Sequence, residues 1–184
     1  VRKHNWTEFP HKMNAMNALK VMKINHGPLK TVPTNINEIF KKLSRLDLSF
    51  NKLNSVPETV GRLPLNQLYL ENNELNGLPD TVWGNKDIFH MELDNNNISV
   101  IPPSIVSSKA LNRLYISNNS LSRLPLEMFD LKIVTICADG NKLKAIPPEI
   151  GTMTTLRHVK FNNNHNITNV PKEIGNLIML RDID

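Results

Sequence analysis

Apolar and polar positions along this chain repeat with a period much longer than that of a helix or a strand. One series is an apolar residue followed directly by proline: Phe9-Pro10, Val32-Pro33, Val56-Pro57, Leu78-Pro79, Ile101-Pro102, Leu124-Pro125, Ile146-Pro147 and Val170-Pro171, with successive prolines 22 to 24 residues apart. A second series runs in phase with the first and opens at Leu19, Leu43, Leu65, Ile88, Leu111, Ile133, Leu156 and Leu180. Each opening starts an LxxLxL-like run, and Leu43, Leu46, Leu48, Asn51 and Leu53 show the spacing in full, as do Leu65, Leu68, Leu70, Asn73 and Leu75. A period of roughly 20 to 50 residues marks stacked units, none of which buries its apolar face alone. A coiled coil is excluded, because it needs a period of about 3.5 and does not accommodate proline at regular intervals.

Within each unit, LxL places two side chains on one face of a short strand and points the residue between them to the other face. Stacking such strands makes a parallel sheet. Asn51, Asn73, Asn96, Asn119, Asn141 and Asn164 then stand where the chain turns sharply off each strand, where a short amide can satisfy backbone groups that would otherwise be buried unpaired. Gly27 occupies that place in the unit opening at Leu19, so this copy is degenerate. In the unit opening at Leu156, Ile167 falls three residues after Asn164 instead of two, which predicts a bulge around His165. Proline followed by polar residues and Ile-Gly, as in 147–151 and 171–175, predicts a short turn or 3₁₀ segment on the opposite side.

This spacing resembles the leucine-rich repeat family, and copies such as Leu43 to Leu63 resemble the class found in Ras-related intracellular leucine-rich repeat scaffolds and their plant relatives. The resemblance implies an α/β solenoid, a curved horseshoe with a parallel β-sheet on its concave face and short 3₁₀ or irregular segments on its convex face. It implies one leucine-rich repeat domain over residues 1–184. Seven full repeats start near 19, 43, 65, 88, 111, 133 and 156, with partial repeats at 1–18 and 180–184. Trp6, Phe9 and Pro10 match the second half of a copy, and Leu180 to Asp184 only the opening of another, so the expectation is an excerpt of a longer array. The alternative is that the segment around Trp6, Met13 and Met16 forms an irregular cap.

The chain has 184 residues, 40% hydrophobic and 21% charged, a balance that excludes disorder and collagen. No run of about 18 apolar residues occurs, so no direct membrane insertion is expected in this segment. Val1, Arg2, Lys3 and His4 lead into no apolar stretch of the kind a secretory signal requires. The net charge is +5, but Lys and Arg are scattered, and nucleic acid is not an expected partner. There is no GxxxxGK, GxGxxG or HExxH, and His90 and His158 lie three repeats apart, roughly 14 Å at parallel-strand spacing. No metal, no cofactor and no catalytic residue is expected. The lone Cys137 lies two residues from Asp139, which works against a thiolate, and the chain is read as a non-enzyme.

The repeat phase also projects the concave face. Between the strand leucines lie Lys23, Asp47, Tyr69, Glu92, Tyr115, Cys137 and Lys160; two residues earlier lie Val21, Arg45, Gln67, His90, Arg113, Thr135 and His158; two residues later lie Asn25, Ser49, Glu71, Asp94, Ser117, Asp139 and Asn162. Tyr69, Glu71, His90, Glu92, Asp94, Arg113 and Tyr115 thus form one contiguous patch. Tyr and Arg often dominate interface energetics, being large and able to hydrogen-bond while excluding water. The expected function is a protein–protein interaction module, a scaffold or adaptor that binds a protein or peptide there. The acidic centre, with Lys23, Arg45, Arg157 and Lys160 at its flanks, favours a partner with a basic middle and acidic edges. The single cysteine points to a cytoplasmic setting. The alternative is an extracellular receptor or adhesion ectodomain fragment, for which Asn5, Asn97, Asn118 and Asn166 supply glycosylation sequons.

Overall fold

The computed structural model describes residues 3–9 and 16–184; Val1, Arg2, Pro10 and Met13 lie outside the described residues. Eight short strands form one parallel sheet in sequence order. They are β1 (Val21–Lys23), β2 (Arg45–Asp47), β3 (Gln67–Tyr69), β4 (His90–Glu92), β5 (Arg113–Tyr115), β6 (Thr135–Cys137), β7 (His158–Lys160) and β8 (Asp182–Ile183). Each return path carries one short helical turn. Five are 3₁₀ (Glu58–Arg62, Pro103–Ser107, Leu126–Asp130, Pro148–Thr152 and Lys172–Asn176), and two are single α-turns, α1 (Ile36–Ile39) and α2 (Asp80–Trp83). Proline immediately before or at the start of the 3₁₀ turns supplies a fixed φ where no N–H is needed.

Between sheet and turns lies a continuous apolar core. Leu46, Leu68, Met91, Leu114, Ile136 and Val159 are in register from strand to strand and fully buried. Leu48, Leu70, Leu93, Ile116, Ala138 and Phe161 form the second buried row, and Val60, Val82, Ile105, Met128 and Ile150 meet it from the helical turns. Removing this apolar area from water is the main drive for stacking.

The asparagine ladder appears at all six expected places, each side chain buried. Asn73 shows the pattern: its Oδ1 accepts from the Leu53 N–H (3.0 Å), while its Nδ2 donates to the Leu48 and Leu70 carbonyls (both 3.0 Å). Asn96 repeats it with the Leu75 N–H and the Leu70 and Leu93 carbonyls, each at 3.0 Å. The residue before each ladder position has a left-handed backbone, at Phe50, Asn72, Asn95, Asn118, Gly140 and Asn163, with φ between 53 and 61°. Asn tolerates this region better than most residues, which explains the doubled asparagines 72–73, 95–96, 118–119 and 163–164. At Gly140 a Cβ would collide with Asn118 Oδ1 as well. Phe50 takes the strained conformation and stacks on His26, ring centroids 4.4 Å apart.

The two degenerate copies depart as their residues require. Beside Gly27 the imidazole of His4, itself buried, fills the space a ladder side chain would take. After Asn164 the extra residue is absorbed by a turn at His165 and Asn166 closed by Ile167 N–H to Asn164 C=O (3.0 Å), and Ile167 stays only partly buried. Residues 3–9 run against the first full repeat, with Phe9 in the core. Lys30 N–H donates to Thr7 C=O at 2.9 Å. At the other end Val170, Ile178, Met179 and Ile183 are exposed.

Candidate functional site

The observed register fixes the concave columns. Val21, Arg45, Gln67, His90, Arg113, Thr135, His158 and Asp182 face one another in sequence across the sheet, and Lys23, Asp47, Tyr69, Glu92, Tyr115, Cys137 and Lys160 do the same one step along the strands. Short strands, each ended by a ladder turn, allow only these few side chains to project from each repeat.

The projected patch comes together on β3, β4 and β5, around a run of rings. Tyr69 and His90 have centroids 5.1 Å apart, and His90 and Tyr115 are 5.5 Å apart. The Arg45 guanidinium lies 4.3 Å from the Tyr69 ring centroid and donates through Nη1 to Gln67 Oε1 (3.1 Å). His90 Nε2 is 2.8 Å from Glu92 Oε1. Both tyrosines are half-buried, and burial holds their phenols protonated at neutral pH by raising them further. Arg113, by contrast, is exposed and stands outside the ring stack.

The carboxylates beside the rings are unusual. Burial pushes Glu71 up to about 7, aided by Glu92 and Asp47 and opposed by its own backbone and Ser49. Its Oε2 is shielded from solvent without a hydrogen-bond partner. Burial likewise pushes Asp94 up to about 6, although the Ser117 N–H donates to its Oδ1 at 2.6 Å. These groups are held near charges of their own sign with too little water to stabilise them. A cation arriving here would relieve both conditions.

Four projected positions do not face solvent. Asp47 is buried, accepting from Ser49 Oγ (2.7 Å) and Asn25 Nδ2 (3.1 Å), and Asn25, Ser49 and Thr135 are buried with it. Strand alternation names the face these residues lie on and does not anticipate their burial. The part of Gln67 in fixing Arg45 over Tyr69 was missed, although their direct pairing follows from repeat phase. Cys137 is half-buried and its thiol is pushed up to about 11, first by burial and then by Asp139. It is therefore a thiol, not a thiolate, at neutral pH. Among the described residues no group of His, Cys, Asp and Glu is placed to hold a metal ion.

A family model for leucine-rich repeats matches residues 41–98. No curated protein matches the sequence. Among solved structures, a Leptospira interrogans leucine-rich repeat protein is similar over all of this chain and 55% of its own, with 26% identity and a TM-score of 0.78. Internalin C2 of Listeria monocytogenes is similar over all of this chain and 77% of its own, at 22% identity and a TM-score of 0.84. The plant peptide hormone receptor RGFR1, solved in complex with RGF2, is similar over all of this chain and 34% of its own, at 23% identity and a TM-score of 0.77. The finer likeness to Ras-related scaffolds gains no support from these matches.

Proposed function

Taking the chain as a leucine-rich repeat solenoid, we propose that it is a non-catalytic interaction module that binds a protein or peptide segment on its concave face. Tyr69, His90 and Tyr115 form the apolar wall, with Arg113 at its edge. Glu71, Glu92 and Asp94 receive a cationic group of the partner. The observation that carries this reading is the pairing of half-buried rings with desolvated carboxylates, one of them with an unpartnered oxygen. Such a surface is left incompletely satisfied by water, and rings with a central charge are what interface hot spots are made of.

The test is photo-crosslinking of the full chain in its native extract, with a photoreactive residue placed at Ser117 or Asn162 on the concave face and at Lys109 or Glu127 on the convex face. Capture of one partner from the concave positions only is the expected result. Equal capture from both faces, or capture from the convex face alone, contradicts the proposal.

A second reading is a receptor or adhesion ectodomain fragment. It is favoured by the exposure of all four sequon asparagines, Asn5, Asn97, Asn118 and Asn166, and by the likeness in fold to a plant peptide hormone receptor. Site-resolved mass spectrometry of the natural protein separates the two. Unmodified peptides at Asn97, Asn118 and Asn166 fit a cytoplasmic adaptor, and glycan at any of them moves the same concave surface outside the cell.

A further inference from the structure

Next to the ring patch, between β5 and β8, the concave face opens into a cavity of about 530 Å³. Arg113, Arg157 and Arg181 line it, with Thr135 and Cys137 among its other lining residues. Lys160, His158 and Asp182 line it as well. Lys160 Nζ donates to Asp184 Oδ2 at 3.0 Å, and His158 Nδ1 is 3.8 Å from Asp182 Oδ2. Among the described residues, no carboxylate lies within ion-pair distance of the three guanidinium groups.

Against Arg113, Arg157, Arg181 and Lys160 the lining sets one carboxylate, Asp182, so the cavity carries an excess of positive charge that an anionic group would offset. Guanidinium is the side chain best shaped to hold a carboxylate or phosphate through two parallel hydrogen bonds. The cavity is too large for a single small ion and takes several side-chain groups. A long polyanion such as a nucleic acid is disfavoured by what adjoins it, because Glu92 and Asp94 belong to the repeat next to β5 and Asp139 follows the lining residue Cys137 by two positions.

Resting on the concave-face reading above, we infer that this cavity is a second subsite of opposite charge, which takes an acidic stretch of the same partner peptide. The centre of the ring patch on β4 and the middle of the cavity, between β6 and β7, are two to three strands apart, about 12 Å at parallel-strand spacing. An extended peptide spans that distance in about four residues. The recognised segment is therefore bipolar, with a basic residue over Glu71, Glu92 and Asp94 and acidic residues beginning about four positions away. Their order along the sheet fixes the direction in which the segment lies.

The test is fluorescence anisotropy at low ionic strength with the full chain and a labelled, end-blocked probe carrying two lysines, a Gly-Ser-Gly spacer and three glutamates. Arg157→Gln with Arg181→Gln is expected to weaken binding about ten-fold or more. Replacing the probe's glutamates by glutamine has the same effect on the unaltered protein and little further effect on the double variant. Equal affinities for the two proteins, or an undiminished glutamate effect in the variant, overturns the inference. So does a single-stranded oligonucleotide that binds more tightly than the probe.

Phosphoserine in place of glutamate distinguishes the source of the anion. A gain in affinity that disappears in the double variant assigns peptide-borne phosphate, and no gain with the arginine effect intact assigns carboxylate. Tyr69→Ala with Tyr115→Ala separates failure of the subsite from failure of the concave-face reading. If only the subsite is wrong, the tyrosine change still weakens probe binding while the arginine change does not. If the face is unused, neither change matters. Both arginines are outside the core, and a cooperative thermal melt confirms that the variants fold.

Discussion

Along β2 to β7 the inward residues are Leu46, Leu68, Met91, Leu114, Ile136 and Val159, all buried and all interchangeable as fillers of one row. One residue further along the same strands, the concave row reads Asp47, Tyr69, Glu92, Tyr115, Cys137 and Lys160, which share no chemical property. Packing against apolar neighbours above and below constrains the first row. Apart from Asp47, which is buried and bonded to Asn25 and Ser49, the second row packs under no such demand. Identity that varies where the fold does not demand it is where recognition is to be sought, and rings gathered beside desolvated carboxylates are the particular form it takes here.

This contrast breaks most sharply within one strand. Leu93→Ala removes a fully buried side chain from the centre of the stack and is expected to cost about 2 to 5 kcal/mol of stability through the cavity it leaves. Glu92→Ala, its neighbour, should stay within about 0.5 kcal/mol. Urea denaturation of both variants measures the difference, and comparable losses would erase the distinction between the rows.

A smaller effect, about 1 to 3 kcal/mol, is expected from Asn96→Ala, which strips the buried Leu75 N–H of its acceptor and takes one of two amide donors from the Leu70 carbonyl. The same melts report it. Asn95→Ala probes the neighbouring turn instead, where the cost arises from the left-handed backbone (φ 56°) and not from a lost ladder bond.

The pH dependence is subtler. Glu71 and Asp94 titrate higher in the folded chain, about 7 and about 6, than in the unfolded one. Folding therefore gains from their protonation in acid, and that gain is lost as pH rises through these values. Glu71→Gln should raise Tm at pH 8 and flatten the change in Tm between pH 5 and 8. A cation bound at the patch favours the ionised carboxylates, so affinity for a basic partner should strengthen as pH rises from about 5.5 to 8. A flat profile in both measurements would show that the carboxylates are ordinary surface groups.

Much of the fold was legible because repetition multiplies weak signals. A single LxxLxLxxNxL is ambiguous, whereas copies in phase with proline pairs determined strand positions, ladder and register together. The same phase assembled the patch, since Tyr69, Glu92 and Tyr115 pair directly across β3, β4 and β5. The burial of Asp47 and Thr135 was not legible, because alternation names the side of a sheet but not the burial of a residue on it. Nor was the ring contact through His90, which depends on side-chain rotamers across three strands. The arginine-lined cavity was only half visible. Arg157 stood out as a flanking charge, and Arg181, which follows the opening Leu180 as Arg157 follows Leu156, shares its column but was not singled out.

The central claim is that the concave rings hold the partner, and calorimetric titration of the cross-linked partner tests it most directly, comparing the unaltered chain with Tyr69→Ala/Tyr115→Ala. A loss of more than about 2 kcal/mol in binding, with an unchanged thermal melt, is the result expected of a hot spot. Equal affinities of the two proteins would contradict the concave site.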